Sequence, residues 1–152
     1  TEDDPNTAEF LHIRKLQLSP DPRDQAAAVE RMVGWLTTEP FSASQQSVFE
    51  SIAMTFPVYA RRAMYSRSLD NQDLLDTITK LPVFLAMGAD DNAGMLKDAA
   101  QLTKTYANVC LSVVTGAGHS VFYEQPSRFN TELRNFATHA VNFKSCSVAD
   151  DK

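Results

Sequence analysis

Two short segments hold the side chains best suited to proton-transfer chemistry: "GADD" at residues 88–91 and "GAGHS" at residues 116–120. Each follows an apolar run that reads as a strand, so Asp91 and His119 come just after consecutive strands. A carboxylate held against the Nδ1 proton of an imidazole fixes its tautomer and stabilises the imidazolium, leaving Nε2 to act as a general base. If the strands are parallel neighbours, both groups emerge at the carboxyl edge of one sheet, where open α/β sheets bind ligands. Each residue read singly has a plainer role. A histidine after a strand is commonly a hydrogen-bonded loop residue, and Asp90 or Asp91 could cap the helix that follows. Their occurrence together on successive strand ends favours the pair.

The elements that must position this pair follow from hydrophobic periodicity. From Leu81 onward the chain alternates strand, helix, strand, helix, the pattern of a parallel sheet with helical crossovers. "LPVFLAMG" lacks polar alternation, as expected of a strand covered on both faces. "GMLKDAAQLTKTYA" sets Leu96, Ala99, Leu102, Thr103 and Tyr106 on one helical stripe, and "VCLSVVTG" supplies the second strand. A last helix from about Ser127 turns Phe129, Leu133, Phe136, Ala137 and Ala140 toward the core. Residues 1–79 show helical spacing and no strand. There Asp21 can cap, Pro22 suits the first helical position, and Val29, Met32, Val33 and Leu36 form a stripe that ends before Pro40. A second helix from near Ser44 aligns Val48, Phe49, Ile52, Ala53 and Phe56 and stops at Pro57. "YARRAMYSRS" and "NQDLLDTI" predict two shorter helices. The organisation is thus a helical region at 1–79, an α/β region at 80–142 and a polar tail at 143–152. Two parallel strands make a poor sheet, and the apolar first strand would be left with an unpaired edge. The pattern argues for further strands, from a segment outside this chain or from another chain.

Composition narrows the classes. The chain has 152 residues, 43% of them hydrophobic, and a formal charge of -5 with no basic patch carrying interleaved aromatics, which disfavours nucleic acid. No apolar run approaches the roughly 20 residues that span a bilayer. Cys110 and Cys146 have no metal-ligand spacing and are expected to be free thiols. No secretory leader pattern is visible, and a cytoplasmic location is expected.

"LPVFLAMGADD", a helical interval, then "VVTGAGHSVFYEQPSRFNTELRNFA" resembles the C-terminal part of the α/β-hydrolase fold superfamily, in its esterase, lipase and cofactor-free haloperoxidase branch. Gly88 with Asp91 matches the G-x-x-D that carries the family's triad acid. Gly116, Gly118 and His119, with Glu124 and Pro126, match the G-x-G-H and E-x-P that carry its histidine. The preceding helices are similar in kind to the family's helical cap. The resemblance implies an incomplete α/β-hydrolase fold: a cap, then the last two parallel strands and their helices. It implies a Ser-His-Asp hydrolase acting on a small apolar ester-like substrate, with catalytic His119 and Asp91 and no cofactor or metal. Trp35, Phe56, Val121 and Phe122 are candidates for the apolar substrate lining. The chain departs from the family pattern in having no G-x-S-x-G: its glycines stand at 34, 88, 94, 116 and 118, no two of them four apart. Because the family's chain order is nucleophile, acid, histidine, the serine is expected N-terminal to residue 1. After Asp91 the run "NAGML" replaces the family's apolar residue and proline, so Gly94 predicts a looser loop. Ser120 reads as a turn hydroxyl and Ser112 as a strand residue. Glu124 is expected to hydrogen-bond backbone in the turn. Met32, Trp35, Phe41, Met54 and Phe56 are expected chiefly as cap core. Arg61 and Arg62 read as solvated helix charges, with binding of an acidic substrate as the other role. Two further classes stay open: a non-catalytic binding module that retains the fold, and a receiver-like signalling domain suggested by Asp90 and Asp91.

Overall fold

The computed structural model describes residues 5–67 and 80–139. Contacts within the chain divide it into two compact units, residues 1–69 and 70–152.

The first unit is helical: α1 (Pro5–Gln17), α2 (Pro22–Gly34), α3 (Ala43–Met54) and α4 (Val58–Tyr65). α2 starts as its sequence predicts. Asp21 accepts a hydrogen bond from the Arg23 amide at 2.9 Å, Pro22 takes the first helical position, and Asp24 accepts from the Ser19 hydroxyl at 2.6 Å. α3 starts one residue earlier than expected, on a capping box between Ser42 and Gln45. α4 follows Pro57 and is tied back to α1. The Arg14 guanidinium lies 4.5 Å from the centre of the Tyr65 ring and donates to the Tyr65 carbonyl at 2.6 Å, while the Tyr65 hydroxyl donates to Gln17 Oε1 at 2.8 Å.

Packing corrects several expectations for this unit. Its buried apolar residues are Ile13 on α1 and Ala28, Val29 and Val33 on α2. The residues expected as cap core stand outside that cluster: Met32, Trp35, Met54 and Phe56 are well exposed. α2 turns the 28–29–33 edge of its stripe toward the core, which leaves positions 32 and 35 on the flank. α3 buries no residue at all, and Val48 and Ile52 of its expected inner stripe are exposed. Phe41 stacks on Phe49 at 4.7 Å between centroids. Arg61, expected in solvent, is buried at 3% exposure, whereas its neighbour Arg62 is exposed and donates to the Leu18 carbonyl at 2.9 Å. The helix predicted over "NQDLLDTI" lies outside the described residues, as do Ala140 and the polar tail.

The second unit has the expected alternation: β1 (Val83–Gly88), α5 (Ala93–Thr105), β2 (Val109–Val114), a short α6 (Val121–Glu124) and α7 (Pro126–His139). β1 and β2 pair in parallel, in register from Val83 with Val109 to Gly88 with Val114. The core is Val114, Ala117 and Val121, with Phe129 of α7 packed against it, and Phe84 of β1 stacks on Phe136 at 5.4 Å. α5 buries Ala99 and ends at Tyr106, leaving Leu102 partly exposed. β1 is half-buried along residues 83–87 rather than sealed on both faces, and Leu133 and Ala137 of α7 reach solvent. A sheet of two strands, as described here, is too narrow to cover every apolar position its helices present. Cys110 is buried in β2 and disulfide-bonded, which corrects the expectation of a free thiol; the chain's other cysteine, Cys146, lies outside the described residues. Among the described residues no helix is long and apolar enough to cross a membrane.

Candidate active site

The parallel register brings the two strand ends level, so the three residues after Gly88 and the five after Val114 enter the same edge of the sheet. Backbone hydrogen bonds lock the two turns together: the Ala89 amide donates to the Val114 carbonyl at 2.8 Å, and the Asp90 amide to the Ala117 carbonyl at 3.0 Å. This approach requires Gly88. A Cβ there would overlap the carbonyl oxygens of Ala117 and Gly118. Gly116 adopts φ +68, the left-handed conformation that glycine tolerates, and so turns the chain out of β2.

Asp91 and His119, 28 positions apart in the chain, meet across this edge. Nδ1 of His119 lies 3.1 Å from Oδ2 and 3.3 Å from Oδ1 of Asp91. The Asp91 side chain is 10% exposed and that of His119 is 49% exposed. A carboxylate offers only acceptors, so the contact needs the proton on Nδ1, which in the neutral ring leaves Nε2 as the acceptor.

Asn92 explains why Asp91 is available. Asn92 Oδ1, rather than either aspartate, caps α5, accepting from the amides of Gly94 at 2.9 Å and Met95 at 3.3 Å. The Asn92 amide in turn donates to Asp91 Oδ1 at 2.7 Å and orients the carboxylate. Gly94 therefore belongs to the first helical turn, and the loose loop expected from it does not form. Asparagine is among the strongest helix N-caps, so the signal stood in "DDNAG" beside the two acids. On the histidine side, Glu124 Oε2 accepts from the Gly118 amide at 2.7 Å and braces the turn, the backbone role its position suggests. Asp90 is exposed. Among the described residues no group of three or more potential ligands could hold a metal ion.

The expected lining residues separate. Phe122 is 61% exposed on α6 and packs edge-on against Phe129 at 6.3 Å. Val121 faces the other way and is buried on Val114 and Ala117, so it serves the core instead of lining a site. A one-residue step on a helix rotates a side chain by about 100°, which accounts for the difference. Trp35 closes the C-terminus of α2, half-exposed, and Phe56 lines a cavity inside the helical unit. Ser120 is buried at the start of α6, where its carbonyl accepts from Tyr123 and Glu124, and Ser112 is buried within β2.

A parallel pair of strands that delivers aspartate and then histidine to one edge, preceded in the chain by helices, is the arrangement of an incomplete α/β-hydrolase fold. Solved structures that share the fold include esterases. The chain superposes on one assigned as an aryl esterase from Burkholderia cenocepacia with a TM-score of 0.71 and 19% identity, covering 87% of this chain and 48% of that one. The esterase RhEst1 from Rhodococcus sp. ECU1013 gives a TM-score of 0.70 at 22% identity, over 83% of this chain and 46% of that one. An esterase from Exiguobacterium antarcticum gives 0.64 at 16% identity, over 85% and 47% respectively. The chain thus spans about half the length of these structures, and the likeness is one of fold. The sequence matches no family model and no curated protein.

Proposed function

We propose that this chain carries the acid and histidine of a serine hydrolase that acts on small, apolar ester-like substrates, with the nucleophile and further strands supplied from N-terminal to residue 1. The contact between His119 Nδ1 and Asp91 carries the reading. In the reaction, the serine hydroxyl adds to the substrate carbonyl while His119 Nε2 takes its proton. The imidazolium formed is stabilised by Asp91 and returns the proton to the departing alkoxide, leaving an acyl-serine. Water then attacks that acyl group by the same route, with His119 again accepting the proton and passing it to the serine. Every step uses His119 as the proton carrier and Asp91 as the group that holds its tautomer. Phe122, three residues beyond His119, is the exposed member of the expected lining that stands nearest the imidazole in the chain.

The half-buried positions along β1 and the exposed Leu133 of α7 support the sheet-completing role assigned to the N-terminal segment, which would add strands beside the two described here. The test is hydrolysis of p-nitrophenyl esters by the protein with its upstream sequence included. His119→Ala is expected to lower kcat on the order of 10^3-fold or more, and Asp91→Asn to lower it by a comparable factor with the fold retained. Unchanged turnover in His119→Ala sinks the assignment, and absence of turnover in the unsubstituted protein leaves the non-catalytic binding module as the reading.

A further inference from the structure

Besides Phe122, an exposed methionine stands at the carboxyl edge that holds Asp91 and His119. Met95 lies in the first turn of α5 and is 45% exposed. Its backbone is tied to the acid through a single residue: the Met95 amide donates to Asn92 Oδ1 at 3.3 Å, and the Asn92 amide donates to Asp91 Oδ1 at 2.7 Å. The direction of the side chain follows from the helix. α5 packs on β2, the strand that His119 follows, and Ala99, four positions along the same helix face as Met95, is buried. Met95 therefore stands on the face turned to the sheet, but a turn nearer the strand ends. Side chains on an α-helix lean toward its N-terminus, so this one leans back over the edge. Ala93 and Gly94, which precede it in the turn, offer no more than a methyl group.

We propose that Met95, together with Phe122, holds the alcohol portion of the ester, and that the preferred substrates carry an extended apolar alcohol. This assignment rests on the hydrolase reading given above. When the acyl-serine forms, the bond between the acyl carbon and the alcohol oxygen breaks and its electron pair leaves on that oxygen. The oxygen takes the proton from Nε2 of His119 and departs as a neutral alcohol. The alcohol oxygen must then lie within hydrogen-bond reach of Nε2, and the hydrocarbon attached to it runs over the groups that flank the imidazole. Met95 flanks it from the Asp91 side and Phe122 from the chain that follows His119. A thioether with three rotatable bonds adapts to hydrocarbons of varied shape, which suits a flexible alcohol.

Three esters test the assignment on the protein with its upstream sequence included: ethyl acetate, hexyl acetate and ethyl hexanoate. The last two are isomers that lengthen the alcohol or the acyl group by an equal run of methylenes. Met95→Ala is expected to lower the kcat/KM ratio of hexyl acetate to ethyl acetate about tenfold, chiefly through a higher KM, as loss of an apolar binding contact does. The ratio of ethyl hexanoate to ethyl acetate should stay within about twofold of the wild-type value. Met95→Leu, close in volume, should restore most of the preference for hexyl acetate. Because Met95 is exposed, the urea midpoint of each variant should stay near that of the wild type. An unchanged hexyl-to-ethyl ratio in Met95→Ala, a fall confined to ethyl hexanoate, or an equal fall on all three esters with a lowered midpoint overturns the assignment and leaves His119 and Asp91 in their roles. A wild-type protein that turns over none of the three esters removes the hydrolase reading and this assignment with it.

Discussion

At the scale of single residues the site depends on a division of labour among three neighbours. Asp90 is left to solvent, Asp91 meets the imidazole, and Asn92 takes over the capping that would otherwise draw an aspartate onto the helix. Asn92→Ala should therefore do two things. Loss of the bonds to Gly94 and Met95 should cost about 1 kcal/mol of stability, read as a lower midpoint in urea unfolding. With the cap vacant, the Asp91 carboxylate can turn toward the helix amides, so turnover should fall as well, while Asn92→Asp keeps the cap and preserves more of both. A variant that lost stability and kept full turnover would show that Asn92 has no part in positioning Asp91. Arg61 makes the complementary point. Its sequence context, two adjacent arginines on a short helix, reads as solvated charge, and only packing shows one of them buried and the other exposed.

At the scale of elements, the strand ends and the turns that follow them decide the geometry. The turn after β2 can approach β1 only because residue 88 lacks a Cβ, and the Asp90–Ala117 hydrogen bond closes the gap. Gly88→Ala should push the 117–118 backbone away, costing about 1–3 kcal/mol as overpacking does. The displacement would also lengthen the contact between His119 and Asp91, so both unfolding midpoint and kcat should drop. Retention of wild-type turnover in that variant would mean that the turns need not touch. Both strands, the helix between them and the C-terminal helix were legible in the alternation of apolar runs and helical stripes, because those periods are written in consecutive residues. The phase of α3 was not. Its stripe at 48, 49, 52 and 53 is regular, yet the helix buries nothing, since periodicity shows which residues share a face and not whether anything covers it. For the same reason Val121 and Phe122 could not be separated before α6 was seen to turn one inward and the other out.

At the scale of the whole molecule, the chain holds two compact units and no G-x-S-x-G, and both of the serines weighed as stand-ins, Ser112 and Ser120, are buried. The 152 residues alone should then resist a fluorophosphonate probe, with intact mass unchanged after incubation, while the longer protein takes up one equivalent on a serine upstream of residue 1. Labelling of the short chain would reveal a nucleophile that the proposed order of residues does not contain. The sequence by itself determined which side chains could do chemistry, that they follow successive strands, and that a nucleophile elbow is absent, because motif, order and period are properties of neighbouring positions. Only the tertiary structure decided that Asn92 holds the cap and leaves Asp91 to meet His119, and that Arg61 lies buried beside a cavity. Those outcomes turn on distances between residues far apart in the chain, which depend on register, close approach and burial, and these are settled when the elements pack.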